Sequence, residues 1–113
     1  MVYDVDQQRV VDTIGGKETF PKPGGDTALS PDGRCIANGW RQGVENKYVI
    51  FRRSDRSSIH TRGFRHPGYT EGDLRVDGSP CWNRTSDRIL FPAIAPDGTR
   101  QIFVLTIRPL KGR

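Results

Sequence analysis

A chain of 113 residues, 34% hydrophobic and 27% charged, has room for one modest domain and too few apolar residues for a large core. Its formal charge of +5 rests on 14 Arg against 4 Lys, a balance that permits an anionic partner, although arginine also serves for packing and pairing. No apolar run is long enough for a signal peptide or a bilayer span. Cys35 and Cys81 show none of the short spacings of a zinc site or redox pair, which leaves them as buried free thiols.

In chain order, residues 2–5 and 9–14 are two β-rich runs around Asp6-Gln7-Gln8 and predict a hairpin. Residues 15–25 are dense in Gly and Pro and predict a loop. A strand is expected at 26–30, a tight turn at Pro31-Asp32-Gly33, and a returning strand at 35–40. Residues 41–46 read as a loop, 48–53 as the strongest strand in the chain, and 58–62 as a polar outer strand. A second long loop is predicted over 64–78, followed by strands at 79–83, 88–93 and 101–107. No window carries sustained apolar spacing at i, i+3, i+4, so no helix is expected.

One stretch occurs twice. Leu29-Ser30-Pro31-Asp32-Gly33-Arg34-Cys35-Ile36-Ala37-Asn38 returns without a gap, 53 residues on, as Trp82-Asn83-Arg84-Thr85-Ser86-Asp87-Arg88-Ile89-Leu90-Phe91. A period near 50 with several strands per unit points to propeller blades. With the strands of a unit lettered A to D from the inside out, residues 1–14 supply C and D of one unit. Residues 26–64 then supply a complete A to D unit, and 79–107 supply A to C of a third. The expected fold is therefore all-β: nine strands making about two consecutive four-stranded antiparallel blades of a β-propeller, in an incomplete ring.

These residues resemble the repeat of TolB-type β-propellers, relatives of the WD repeat, whose inner hairpin reads approximately Trp-Ser-Pro-Asp-Gly-Lys-Arg-Ile-Ala-Phe. The first copy keeps Ser30, Pro31, Asp32, Gly33, Ile36 and Ala37. The second keeps Trp82, Arg88, Ile89 and Phe91 but replaces the Ser-Pro-Asp-Gly turn with Asn83-Arg84-Thr85-Ser86. Asp97-Gly98 followed by Gln101-Ile102-Phe103-Val104-Leu105 is similar to the family's third strand. The resemblance covers residues 26–107 and implies a fold shared by many functions, with a lean toward a periplasmic or secreted setting. It also implies unfinished business: two blades cannot close a ring, and open faces would expose Val49, Phe51, Ile102 and Val104. The expected partners on that side are missing propeller blades or other copies of the chain.

In this geometry residues 15–25, 41–47, 64–78 and 95–100 gather at one end of the disc, where binding residues are usually placed. The 64–78 loop is richest, with His66, Tyr69, Asp73, Arg75 and Asp77; Arg41 and Glu45 join them from the neighbouring loop. Such a set suits a polar ligand, a sugar or a peptide, while the competing structural role is mutual pairing of Asp73, Arg75 and Asp77 to order the loop. His66, Asp73 and Asp77 are metal-ligand types without a recognised spacing, so neither metal nor cofactor is assigned. The basic residues Arg52, Arg53, Arg56, Arg62 and Arg65 fall on outer strands, where charge guards an edge, and lack interleaved aromatics; nucleic acid is not the expected partner. His60 reads as a solvated side chain, and Asn83-Arg84-Thr85 matches a glycosylation sequon in a turn.

No nucleophile elbow, phosphate loop or dinucleotide fingerprint is present, and no catalytic residue is assigned. The leading expectation is a non-catalytic propeller-type interaction module, the C-terminal fragment of a longer propeller, that contacts a protein or saccharide through its inter-blade loops. The alternative is a fragment resembling the metal-dependent oligogalacturonate lyases. That resemblance implies a histidine-rich centre for which only His60 and His66 are available.

Overall fold

The computed structural model describes residues 1–14, 26–66 and 77–108. Among these residues there is no helix; ten strands form three open antiparallel sheets, and no barrel closes. A two-stranded sheet joins β1 (Val2–Asp4) to β2 (Arg9–Asp12). The middle sheet runs in the order β3 (Asp26–Leu29), β4 (Cys35–Gln42), β5 (Glu45–Arg52), β6 (Ser57–His60), with β7 (Phe64–Arg65) also pairing β5. The last sheet places β9 (Arg88–Ile94) between β8 (Cys81–Trp82) and β10 (Arg100–Thr106). The all-β, antiparallel expectation holds.

Strands β4 and β5 form the longest hairpin, registered from Cys35↔Arg52 to Gln42↔Glu45. Successive side chains on a strand alternate between faces, so this pairing sorts the hairpin into two apolar layers. Ala37, Tyr48 and Ile50 line one face, and Ile36, Val49 and Phe51 the other; both sets are buried or half-buried. On the first face they pack with Phe64, Ile89, Phe91 and Ala93, joined by Trp82, Phe103 and Leu105. Phe91 is the hub: its ring lies 4.4 Å from Tyr48 and 4.7 Å from Phe64, spacings at which aromatic pairs attract. On the second face Trp40, Val49 and Phe51 cluster with Ile36 and with Ile14, which follows β2. Arg56 reinforces that side by donating to the Asp12 carboxylate and the Thr13 carbonyl, both at 3.1 Å. The middle sheet is thus flanked on both faces.

Several expectations need correction. Residues 41–46 are not a loop. Gly43 at φ 61° permits a two-residue connection of the kind that matches strand twist, so Arg41, Gln42, Glu45 and Asn46 remain in the ladder. The predicted outer strand 58–62 ends at His60 because the Thr61 side chain enters the ladder: its Oγ1 accepts the Tyr48 N–H at 3.1 Å. The chain then rejoins β5 as β7, which puts Phe64 in the core, where the sequence suggested the start of a loop. Val49 and Phe51 are buried under the N-terminal side, whereas Ile102 and Val104 are exposed as expected. Cys81 is exposed and only Cys35 is partly enclosed, so the buried-thiol reading fails for Cys81; burial pushes the Cys35 thiol pKa up.

The two copies of the repeated stretch fold into equivalent turns. In the first, the Ser30 and Asp32 side chains accept the Cys35 and Arg34 N–H groups, and Gly33 takes φ 74°. In the second, Asn83 Oδ1 accepts both the Asp87 and Arg88 N–H groups, and Ser86 takes φ 61° where Gly33 stands in the first. A different set of side chains reaches the same backbone result. The copies also touch each other at matching places. The Asp32 N–H donates to Ser86 Oγ at 3.1 Å, the Trp82 indole donates to the Ala28 carbonyl at 2.9 Å, and the Ser79 hydroxyl donates to Asp26. The sequence separations are 54, 54 and 53 residues, so one contact joins equivalent positions and two join positions one residue out of step with the 53-residue repeat.

Candidate functional site

The β4–β5 turn and the residues that flank 67–76 on either side come together at one end of the middle sheet. Arg41 and Asn46 are a direct cross-strand pair, so they share the face that carries Tyr48. Gly39 lies on that face as well. It has no side chain because a Cβ there would meet the Gly78 carbonyl oxygen at 2.1 Å. This close backbone approach seats Asp77 and Gly78 against the sheet. Asp77 Oδ1 then stands 3.9 Å from Arg41 Nη2, with both side chains about two-fifths exposed. At that distance and exposure the ion pair orients the two groups more than it stabilises the fold.

Behind this pair the site becomes dry. Asn46 is buried, and so is Tyr48, whose hydroxyl has no hydrogen-bond partner among the described residues. The Arg41 Nε hydrogen is likewise buried without an acceptor among them. Desolvation, followed by the nearby Asp26 charge, raises the Tyr48 pKa, so its phenol stays protonated and able to donate throughout the neutral range. The site therefore presents a half-exposed guanidinium beside a half-exposed carboxylate, over a buried, neutral phenol.

His66 sits at the same end but points inward. Its backbone N–H donates to the Val44 carbonyl at 3.0 Å and its ring Nε2 lies 2.9 Å from the Gly43 carbonyl. A carbonyl only accepts, so Nε2 carries the hydrogen and His66 fastens the β4–β5 turn. Glu45 pairs with Gln42 and belongs to the opposite face from Arg41; its carboxylate packs over Gly63, where a Cβ would meet it at 2.5 Å. Of the seven residues singled out in the sequence, the structure brings Arg41 and Asp77 together, turns His66 inward and places Glu45 on the other face. Tyr69, Asp73 and Arg75 lie outside the described residues, and with them the pairing of Asp73 and Arg75 with Asp77. Asn46, Tyr48 and the Gly39–Gly78 approach were missed. The isolated Gly39 inside a strand is the one signal that could have found them, since such a glycine often marks a close backbone approach.

The remaining candidates have structural roles. Arg52 forms an ion pair with Asp55, whose carboxyl is held far below the usual range by that contact and by Ser57. Arg53 donates to the Gly33 carbonyl, Arg56 to Asp12 and Thr13, and Arg62 lies 4.3 Å over the Phe64 ring. His60 is exposed, with its ring edge-on to Trp40. Asn83, the sequon asparagine, uses its amide nitrogen on Thr85 and Asp87. Among the described residues no three His, Cys, Asp or Glu side chains are placed to hold a metal ion, and no helix is long and apolar enough to cross a membrane.

No family model, curated protein or solved structure matches the chain.

Proposed function

We propose that the chain is a non-catalytic, propeller-type interaction module that contacts a protein or a saccharide through the end bearing Arg41 and Asp77. The supporting observation is the set of three contacts between repeats, Asp32 to Ser86, Ala28 to Trp82 and Asp26 to Ser79. Asp26 and Ser79 are one repeat period apart, and the other two pairs are within one residue of it. Contacts between matching or adjacent positions of consecutive units suit units that follow one another by a similar operation, which is how blades succeed each other around a ring. On this reading β3 and β8 are inner strands, the three sheets are successive blades, and the ring is completed by further blades or other copies.

The ligand end follows from the same arrangement. Arg41 and Asp77 offer a half-exposed donor and acceptor side by side, a combination that suits the hydroxyls of a sugar or the amides of a peptide. His66, the histidine that a lyase would recruit, is buried against Gly43, and the lyase alternative is not carried forward.

Titration of the isotopically labelled chain with neutral and acidic oligosaccharides and with short peptides tests the proposal. Amide shifts should concentrate at Arg41, Asn46, Asp77 and Gly78, and Arg41→Ala should remove them. Shifts centred on the Asp32 and Ser86 turns, or none with any of these probes, would contradict it.

A further inference from the structure

We propose that this chain associates head-to-tail with a second copy of itself, the outer face of the β8–β10 sheet of one copy seating against the outer face of the β1–β2 hairpin of the next. The inference rests on reading the three sheets as consecutive repeats.

The register defines both faces. Ile102 pairs with Pro92 and Val104 with Leu90, so these four share one face of the last sheet, opposite the face that packs Phe91 and Phe103 into the core. Ile102 is 64% exposed and Val104 57%. At the other extremity Tyr3 pairs with Val10, and these residues are 56% and 45% exposed. Matching the β1–β2 turn to the β5–β6 turn by their positive-φ residues, Gln8 and Arg56, places Tyr3 at the position of Phe51. Phe51 is turned toward the preceding sheet, in the cluster with Ile14. The corresponding match of β10 to β5 through their partners places Ile102 and Val104 at the positions of Tyr48 and Ile50, which are turned toward the following sheet. These two faces thus match the two complementary halves of an interface that the chain already builds internally.

Each copy would cover one half-interface at either extremity, so the burial per chain equals that of one complete interface. Such a contact is heterologous, so it either closes into a ring or propagates.

Light-scattering mass measurement across a dilution series reads the outcome. The native chain should exceed 12.7 kDa. Ile102→Glu/Val104→Glu and Tyr3→Glu/Val10→Glu should each run as monomers, since every pair of identical variants lacks one half of the contact. Mixing the two variants restores one intact interface and should give a dimer that grows no further. A native chain that stays monomeric at every concentration, variants that still associate separately, or a mixture that fails to pair would overturn the proposal. If a variant unfolds, hydrogen exchange on the native chain decides: the Ile102 and Val104 amides should become protected with rising concentration, and unchanged rates would refute the contact. A monomer whose Trp82 indole remains protected would defeat the association and leave the repeat reading standing. Loss of that protection as well would defeat both.

Discussion

The middle sheet and the last sheet are two renderings of the same repeat, yet they live in different surroundings. Tyr48 and Ile50 are 1% and 5% exposed, whereas Ile102 and Val104, their counterparts in β10, are 64% and 57% exposed. The strands are alike in apolar content. What differs is the neighbour: among the described residues the middle sheet has one on each face, and the last sheet has one on a single face. The edges differ in the same way, for β5 is lined by β6 and β7, while β10 ends its sheet among the described residues. In a repeat array the pattern within a strand decides which faces are apolar, and the adjoining unit decides whether they are buried.

The largest expected effect tests that difference directly. Phe91→Ala removes the ring shared by Tyr48, Phe64 and Phe103 and should cost about 3–5 kcal/mol in denaturant unfolding. Ile102→Ala, measured in dilute solution, should stay within about 0.5 kcal/mol because its side chain is largely exposed. Equal costs would mean that the two faces are not as different as described. Next in size, Gly39→Ala forces a methyl against the Gly78 carbonyl and should destabilise by roughly 1–3 kcal/mol, with the amide signals of Asp77 and Gly78 displaced. Asn83→Ala deprives two backbone N–H groups of their acceptor at a partly exposed turn, and about 1–2 kcal/mol is expected. A neutral result would show that the second turn does not depend on its substitute side chains.

The smallest effect is that of acid. Hydrogen bonds hold the Asp32, Asp87 and Asp97 carboxyls below the usual aspartate value of 3.8: from Arg34 N–H and Ser30 for Asp32, from Asn83 and Thr85 for Asp87, and from Thr99 for Asp97. A group whose folded pKa is depressed contributes stability that is fully present above its unfolded value and is lost as pH falls through the folded one. The carboxylate contribution should therefore be flat from neutrality down to about pH 4 and decline below it. Asp87→Asn should flatten part of that decline. Titration of unfolding midpoint against pH provides the check, and a fall beginning near neutrality would contradict the assignment.

Much of the fold was legible because strand signals here are local. The 53-residue recurrence, the Pro-Asp-Gly turns and the apolar alternation each depend on a few adjacent residues, and they located most strands to within two positions. What escaped depends on distant neighbours. Gly43 turns an apparent six-residue loop into a tight hairpin only because β4 and β5 are already registered. Phe64 enters the core only because the Thr61 side chain interrupts β6. The site was legible by location rather than by membership. Arg41 and Asp77 meet through the approach of Gly78 to Gly39, separated by 39 residues, whereas Glu45 lost its place because strand alternation assigns it to the other face. His66 carried the most chemically suggestive side chain and became a turn fastener.

Hydrogen exchange at two hydrogens reads most directly whether consecutive sheets pack in step. The Trp82 indole N–H and the Asp32 amide each have their partner in the neighbouring repeat. Stacking in step predicts that both exchange far more slowly than in an open chain, with Trp82 approaching the rates of the β4 and β5 ladder. Open-chain rates at both hydrogens, with β4 and β5 still protected, would show sheets that form without that stacking and would contradict the central claim.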